Sequence, residues 1–297
     1  YMTKTIDLCF PPLKGDEVTF IGSTFMKFGS NVPYLNHCVV LDTCDDVDVK
    51  NSEIETCTTE KKLLLKWRDV ILREDPDIMI GYNIFGFDYE FMFQRARQNK
   101  CEESFLQLSR NIGDVCGSKT KQGNYCIESS KIVIASGEHN LNYIKMQGRI
   151  QVDLYNYFRR DYNLPSYKLD YVSSQFIGDN VVNIDHLDNN TTRIFTKNMM
   201  GIEEGSFIHF EETAHSSELY NDGEKFKIVA IDKDDRTFVV NKKPILNMKK
   251  HVRWGLAKDD VTPQDIFRLS KESASGRATI AKYCIQDCNL LHHLLNK

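Results

Sequence analysis

Two short stretches, far apart in the chain, carry polar side chains at spacings that suit metal-dependent chemistry. The first places an amide and a carboxylate directly after an apolar run and reads Gly81-Tyr82-Asn83-Ile84-Phe85-Gly86-Phe87-Asp88. The second places a phenol and a carboxylate four residues apart and reads Tyr283-Cys284-Ile285-Gln286-Asp287. A carboxylate at either place can hold a metal ion, and a phenol beside it can orient a water molecule.

Both stretches also have purely structural interpretations. Asp88 comes at the start of a predicted helix, where aspartate is a common N-cap. A separation of four residues places Tyr283 and Asp287 on one helix face, as in an amphipathic helix with a buried tyrosine and a surface aspartate. Four leucines already supply an apolar stripe on that helix, and Asp287 lies just before them: Leu290, Leu291, Leu294 and Leu295.

The elements that must position these stretches follow an α/β pattern. Apolar runs and period-two alternation predict strands at 18–25, 37–41, 78–82, 131–134 and 149–152. Apolar residues at helical spacing predict helices at 61–74, 88–97, 154–160, 168–176 and 263–295, the last broken near residues 275–276. The polar, acidic segment 42–60 is predicted to be a loop.

Residues from about 179 to about 254 differ from the rest of the chain. Their segments are short, β-prone and rich in turn residues, and residues 205–210 and 224–231 alternate between apolar and polar. The turn Asp232-Lys233-Asp234-Asp235 then leads into 236–240, which predicts a hairpin within a small β module.

The composition limits the possible classes of protein. A chain of 297 residues with 41% hydrophobic and 27% charged residues is typical of one large globular domain or two ordinary ones. No apolar run reaches the length of a membrane span. Nine cysteines without a Cys-x-x-Cys pair predict reduced thiols in an intracellular protein and no zinc site. The net charge of −4 argues against a broad DNA-coating surface. It does not exclude a carboxylate pocket, because divalent ions invert the local charge.

The two stretches in their full context resemble the second and third exonuclease motifs of family B DNA polymerases. Segments 148–154, 159–173 and 277–287 also look like the sequence between and around those motifs in delta-type and viral members. The resemblance covers roughly residues 14–178 and 256–297. The β module between them looks like an insertion, similar to one in the polymerases of large algal viruses and giant viruses.

This resemblance implies a ribonuclease H-like exonuclease fold, a mixed sheet flanked by helices, interrupted by a small all-β domain. The expected domains are 1–178, 179–255 and 256–297, the last with the third motif. The implied reaction is 3′–5′ proofreading, the two-metal hydrolysis of 3′-terminal nucleotides with Mg²⁺ or Mn²⁺. The implied partners are DNA with a single-stranded 3′ end or a primer–template junction, the other polymerase domains and, for the full protein, a sliding clamp. No membrane is expected, and the implied location is the site of DNA replication, in the host nucleus or cytoplasm if viral.

The resemblance also gives roles to individual residues. Asp88 would bridge the metal ions or hold one of them, Asp287 would hold the other, and Tyr283 would orient the attacking water. Asn83 would position the 3′-terminal nucleotide or its own loop, and Phe87 would pack near the terminal base.

One further aspartate, Asp153, recurs in the resemblance. We expect it to have a structural role, capping the helix predicted at 154–160.

The sequence departs from the family pattern at the first exonuclease motif, an Asp-x-Glu pair expected just ahead of a segment like 10–18. Asp7 has Cys9 two residues on, and the adjacent Asp16 and Glu17 would face opposite sides of a strand. We therefore expect that the chain begins inside a longer protein, after that motif. Two of four metal-binding carboxylates would then be absent and catalysis impaired. The polymerase motifs Tyr-Gly-Asp-Thr-Asp and Ser-Leu-Tyr-Pro are also absent, so this piece is not expected to polymerise.

A basic stretch in the β module offers a second contact with DNA, through Lys249, Lys250, Arg253 and the adjacent Trp254. A solvated surface strand is the competing interpretation. Two other functions stay open for the whole chain, a non-catalytic module that binds single-stranded DNA or docks a polymerase partner, and a scaffold without a ligand. Divalent-metal binding that depends on Asp88 and Asp287 distinguishes an enzyme from either.

Overall fold

The computed structural model describes residues 2–3, 16–30, 32–134, 137–187, 190–258 and 261–296. The chain divides into two compact units. The first comprises Tyr1–Asn163 and Val261–Leu291, and the second comprises Leu164–Asp260 and His292–Lys297. Within the described ranges, no helix has both the length and the apolar character needed to cross a bilayer.

Strands and helices together make the chain a mixed α/β protein, as predicted. The strands are β1 (Met2–Thr3), β2 (Val18–Phe25), β3 (Leu35–Leu41), β4 (Ser52–Cys57), β5 (Ile78–Gly81), β6 (Ser118–Lys119), β7 (Tyr125–Cys126), β8 (Glu128–Ile134), β9 (Gly137–Tyr143), β10 (Ile150–Asp153), β11 (Gly178–His186), β12 (Thr192–Thr196), β13 (Phe207–Thr213), β14 (Ser217–Leu219), β15 (Phe226–Asp232), β16 (Thr237–Val240) and β17 (His251–Ala257). The helices are α1 (Glu60–Glu74), α2 (Tyr89–Gln98), α3 (Glu102–Phe105), α4 (Leu154–Asp161), α5 (Leu169–Phe176), α6 (Pro263–Glu272) and α7 (Ala274–Leu295).

The first unit is built around a sheet of β1, β2, β3 and β4, in that order. β2 is antiparallel to β1 and β3, and β3 is parallel to β4. Side chains alternate across the sheet, so Ile21 and Val39 pack with α1 on one face, while Phe20 and Val40 pack with α7 on the other. A Cβ at Gly22 would lie 3.0 Å from the Cβ of Cys284, so the glycine allows α7 to lie close against β2.

A separate pair of parallel strands in the first unit positions part of the candidate site. β5 and β10 run side by side, with Ile78 opposite Ile150 and Gly81 opposite Asp153. The carboxyl ends of both strands therefore meet at one edge. Ligand sites in α/β proteins usually lie at such an edge.

The sequence predicted the helix at 61–74 closely but missed several strands, among them β4, β9 and the short pair β6 and β7. α1 begins at Glu60 after its N-cap Thr59 and ends where Asp75 adopts a left-handed conformation. β4 lies inside the segment 42–60 that was predicted to be a loop, and that prediction was wrong. The strand shows no apolar stripe, because Glu53 and Glu55 occupy it and pair with cations of α1. β9, the partner of β8, was also missed.

The second unit contains a closed antiparallel barrel. Six strands pair in a ring in the order β13, β15, β16, β12, β11 and β17, which returns to β13, and β14 adds to the outside of β13. The predicted hairpin is β15 with β16. Closure leaves these six strands without an open edge. Large apolar side chains fill the interior, including Phe210, Phe226, Phe238 and Trp254.

Helix α5 packs against the barrel within the second unit. A Cβ at Gly255 would lie 2.6 Å from Ser174 Oγ, so the glycine on β17 allows this close approach. Ser174 Oγ also lies 2.9 Å from His209 Nε2 on β13. The domain boundaries predicted at residues 178 and 255 remain predictions.

Candidate active site

The turn after β5 is held by a buried carboxylate at the end of β10. Asp153, 5% exposed, accepts hydrogen bonds from the backbone N–H of Asn83 (2.7 Å) and of Phe85 (3.1 Å). It also accepts from the backbone N–H of Tyr155, which caps α4 as the sequence predicted, and from Asn156 Nδ2. Asp153 therefore fixes the loop that carries the first chemical motif.

The backbone conformation of Asn83 explains why asparagine and Gly86 occupy this turn. Its φ of 61° lies in the left-handed region, where asparagine is better tolerated than most side chains. A Cβ at Gly86 would lie only 2.2 Å from Asn83 Oδ1, so Gly86 makes room for the amide. The Asn83 side chain thus lies against its own turn, and its role in positioning this loop or the 3′-terminal nucleotide remains a prediction.

Asp88 ends a π-helical turn, Ile84–Asp88, that leads directly into α2. Its side chain makes no capping hydrogen bond to α2, so the N-cap interpretation does not hold. Burial raises the pKa of Asp88 to about 6, and the charge of Asp153 adds to the effect. A carboxylate held in this way is a better functional candidate than an ordinary surface aspartate.

Helix α7 brings the second motif to the same region of the first unit. Tyr283 and Asp287 are one turn apart on α7 and both are partly buried. Burial, followed by the charges of Cys284, Asp287 and Asp88, raises the pKa of the next residue, Cys288, to about 12. The charges of both predicted metal ligands therefore act on one thiol, although the two ligands are 199 positions apart in the sequence.

Phe87, the remaining predicted site residue, packs partly into the core of the first unit. Its ring stacks on that of Phe91 with centroids 5.4 Å apart and contacts the core of the first unit. The side chain keeps partial exposure, so contact with a terminal base remains a prediction.

Asp88 and Asp287 suit a divalent cation by their chemistry. Carboxylate oxygens are the preferred ligands of Mg²⁺ and Mn²⁺, and the raised pKa of Asp88 marks a buried negative charge that a cation would stabilise. Among the described residues, Asp88 and Asp287 do not belong to any group of three or more possible ligands whose atoms lie within 4.8 Å of one another. The residues present therefore fit a cation only as part of a larger ligand set.

One other group of possible ligands lies in the first unit, formed by His37, Glu53 and Glu55, with ligand atoms within 4.8 Å of one another. Lys66 pairs with Glu55 at 2.6 Å and Arg73 pairs with Glu53 at 2.8 Å. Burial lowers the pKa of His37, which favours a neutral ring. Because two cations already balance the two carboxylates, this group is best described as an ion-pair network between β4 and α1.

In the basic stretch of the second unit, the predicted contact of Trp254 with DNA was wrong. Trp254 is 1% exposed and donates from its indole to Thr196 Oγ1 in the barrel, so it offers no ring to a DNA base. Arg253 pairs with Glu211 at 3.3 Å, and Lys250 pairs with Glu212 at 3.1 Å. Lys249 is exposed in the turn before β17. A DNA contact by Lys249, Lys250 or Arg253 remains a prediction.

Two functional features escaped the sequence analysis. Asp153 was expected to cap α4, but its bonds to the Asn83 turn join segments 70 residues apart. Cys288 was not singled out, because nothing in the sequence indicates that Asp88 lies near it. For Asp153, the available signal was an aspartate directly after the strand predicted at 149–152.

Both motifs lie in the first unit, and comparison with known proteins identifies the class of protein to which they belong. A family model described as DNA polymerase family B, exonuclease domain, matches residues 2–172. The chain therefore belongs to DNA polymerase family B and carries its exonuclease domain, which confirms the resemblance found in the motifs. The match ends before β11, the first strand of the barrel.

Individual relatives are viral and eukaryotic polymerases. The chain is 43% identical to the DNA polymerase of Phaeocystis pouchetii virus over all of its length, which is 29% of that polymerase. It is 39% identical to that of Pyramimonas orientalis virus, with 97% of this chain and 21% of that polymerase covered. The delta catalytic subunit of Oryza sativa subsp. japonica is 30% identical over 60% of this chain and 15% of the subunit. The chain thus spans less than a third of these relatives.

Proposed function

We propose that this chain is the 3′–5′ proofreading exonuclease region of a replicative family B polymerase, with a ribonuclease H-like fold. The observation that carries the proposal is the match of residues 2–172, which include the Asn83 turn and Asp88, to the family B exonuclease domain. The charges of Asp88 and Asp287 also both act on one thiol, Cys288, so the strand-end turn and the C-terminal helix would supply one carboxylate each to the site. The substrate would be the 3′-terminal phosphodiester of DNA.

In this proposal each site residue has a distinct task. Asp88 and Asp287 hold Mg²⁺ or Mn²⁺, which would stabilise the attacking and leaving oxygens when two ions are bound. Tyr283, one turn before Asp287, orients the attacking water. Asn83 maintains its turn beside the 3′-terminal nucleotide, and Phe87 packs near the terminal base.

The proposal also covers the barrel, the partners and the location. The barrel would be an insertion within the exonuclease domain, since the family model stops at residue 172 while the two viral relatives match nearly the whole chain. A primer–template with a single-stranded 3′ end, the other polymerase domains and a sliding clamp would be the partners. The protein would act where DNA is replicated, in the host nucleus or cytoplasm if viral.

One observation favours a second candidate function. Residues 1–17 contain no Asp-x-Glu pair, and the described residues hold no third carboxylate in a cluster with Asp88 and Asp287. A non-catalytic module that binds single-stranded DNA or docks a polymerase partner would need neither.

Digestion of a 3′-labelled single-stranded oligonucleotide in Mn²⁺ separates the two functions. Two proteins are assayed, the 297-residue chain and the same chain extended by an N-terminal strand that supplies Asp-x-Glu. Each is assayed with its Asp287→Ala variant. We expect the extended chain to release the 3′-terminal nucleotide and its Asp287→Ala variant to lose at least about a hundredfold in rate, the lower bound for removing one group that stabilises transition-state charge. No digestion by either extended protein would favour the binding module, and equal digestion by both would contradict the role of Asp287.

A further inference from the structure

The loop that joins β16 to β17 in the second unit presents apolar side chains to solvent. Ile245 is 84% exposed and Met248 is 39% exposed, whereas Leu246 between them is buried in the barrel. Exposed apolar residues that lie side by side within a polar rim mark sites of interaction. Residues 241–250, here called the lysine loop, therefore form a candidate binding surface on the barrel.

Hydrogen bonds fix the backbone of the lysine loop. The backbone N–H of Ile245 donates to Tyr220 Oη at 3.0 Å. The backbone N–H of Asn247 donates to Glu212 Oε1 at 2.9 Å, and Asn247 Oδ1 accepts from the backbone N–H of Lys249 at 3.1 Å. Because these contacts hold the loop in place, little conformational freedom is left to lose when a ligand binds.

Four lysines surround the apolar residues of the loop, namely Lys242, Lys243, Lys249 and Lys250. The first pairs with Glu224 at 2.7 Å and the last pairs with Glu212 at 3.1 Å. Within the described ranges, neither Lys243 nor Lys249 forms an ion pair, and both are exposed. Two positive charges without a partner therefore flank the apolar residues, in a chain whose net charge is −4.

This combination of side chains suits double-stranded DNA. Proteins that bind the minor groove use cationic side chains together with an apolar wedge, such as isoleucine or methionine, at the base steps. Proteins that hold single strands stack bases on aromatic rings instead. The ring that contacts the lysine loop, Tyr220, already accepts from Ile245 and lies 6.1 Å from the ring of Phe226. Membership of a DNA polymerase family favours DNA over an acidic protein segment, which has the same charge complementarity.

We propose that the lysine loop binds duplex DNA, with Lys243 and Lys249 on phosphates and Ile245 in the minor groove. The inference goes beyond the proposed exonuclease reaction, because it concerns paired DNA and residues of the second unit. It also refines the predicted DNA contact of the basic stretch. Lys249 keeps that role, whereas Lys250 and Arg253 are already paired with glutamates.

The salt dependence of duplex binding tests the two lysines. A fluorescein-labelled blunt-ended duplex is titrated with the 297-residue chain in EDTA at several salt concentrations, and binding is followed by anisotropy. Each phosphate contact contributes about 0.9 to the slope of log K against log salt concentration. Lys243→Ala and Lys249→Ala should each reduce the slope by about that amount. Lys242→Ala, which removes a lysine already paired with Glu224, is the matched control and should leave the slope unchanged.

The apolar contact is tested separately at Ile245. Ile245→Ser should weaken duplex binding at least about fivefold, since burial of the isoleucine side chain is lost, but should leave the salt slope unchanged. Ile245→Leu, which keeps an apolar side chain, should stay within about twofold of the wild type. Thermal unfolding of each variant shows that the fold is kept, as expected for side chains exposed to solvent.

Several outcomes would overturn this inference. They are a wild-type slope in both Lys243→Ala and Lys249→Ala, an equal reduction in Lys242→Ala, or wild-type affinity in Ile245→Ser. A wild-type chain that does not bind the duplex would also overturn it, in favour of an acidic protein partner. Because EDTA removes divalent ions, none of these results depends on hydrolysis, and failure of the exonuclease assay would leave them unchanged.

Discussion

The Glu60→Ala variant is expected to lose about 3–5 kcal/mol of unfolding free energy, the usual effect of removing one partner from a buried ion pair. Glu60 is 4% exposed and pairs with Arg95 through bonds of 2.5 and 2.8 Å. It also accepts from the backbone N–H of Val18 (2.7 Å) and from Asn99 Nδ2 (2.7 Å). One carboxylate thus joins the start of β2, the first turn of α1 and the end of α2.

Chemical denaturation measures this loss of unfolding free energy, and two further variants serve as controls. Arg73→Ala breaks an exposed pair with Glu53 and should cost less than about 1 kcal/mol. The double variant Glu60→Leu with Arg95→Met leaves no unpaired charge and should recover a large part of the loss. A loss below about 1 kcal/mol in Glu60→Ala would mean that this pair is not buried as described.

The Asp153→Ala variant is expected to lose about 3 kcal/mol, since charged hydrogen bonds contribute more than neutral ones and buried donors left unpaired cost free energy. Four donors depend on this carboxylate, namely the backbone N–H groups of Asn83, Phe85 and Tyr155 and the Asn156 amide. The loss should also loosen the turn before Asp88. Amide hydrogen exchange at residues 83–85 should therefore rise together with the global instability.

A matched aspartate lies at the other end of the same helix. Asp161 ends α4 and pairs with the exposed Arg160, so Asp161→Ala should change stability by less than about 1 kcal/mol. Faster exchange of the whole first unit without extra exchange at residues 83–85 would contradict the role of Asp153 in holding that turn.

The parts that the sequence predicted well are those set by local patterns. The limits of α1 follow from Thr59 and the apolar spacing after it. The pairing of Tyr283 with Asp287 follows from one helical turn. The hairpin of β15 and β16 follows from alternation on both sides of a polar turn. Each of these depends on residues that are close in the chain.

The parts that the sequence did not predict depend on distant partners. Glu53 and Glu55 made β4 look like a loop, because their cations Lys66 and Arg73 come from α1. Trp254 stands among basic residues, which suggested a surface position. Strand alternation puts Arg253 outward and Trp254 inward, and closure of the barrel buries the indole.

The proposed function depends most on divalent-cation binding by Asp88 and Asp287. Binding of Mn²⁺ alone, measured from the electron paramagnetic resonance signal of the free ion, tests it directly. The wild-type chain should bind Mn²⁺ at pH 7, and Asp88→Asn and Asp287→Asn should each weaken binding at least tenfold, about 1.4 kcal/mol. Asp161→Asn, a carboxylate outside the site, should leave it unchanged.

The same titration at lower pH adds an internal check. Burial raises the pKa of Asp88 to about 6, so the ionised form that binds the cation is present above that pH and is lost as the pH falls through it. Affinity at pH 5 should be about tenfold weaker than at pH 7, and the Asp88→Asn variant should lack this dependence. Mn²⁺ binding that is unchanged in both Asp88→Asn and Asp287→Asn would contradict the account.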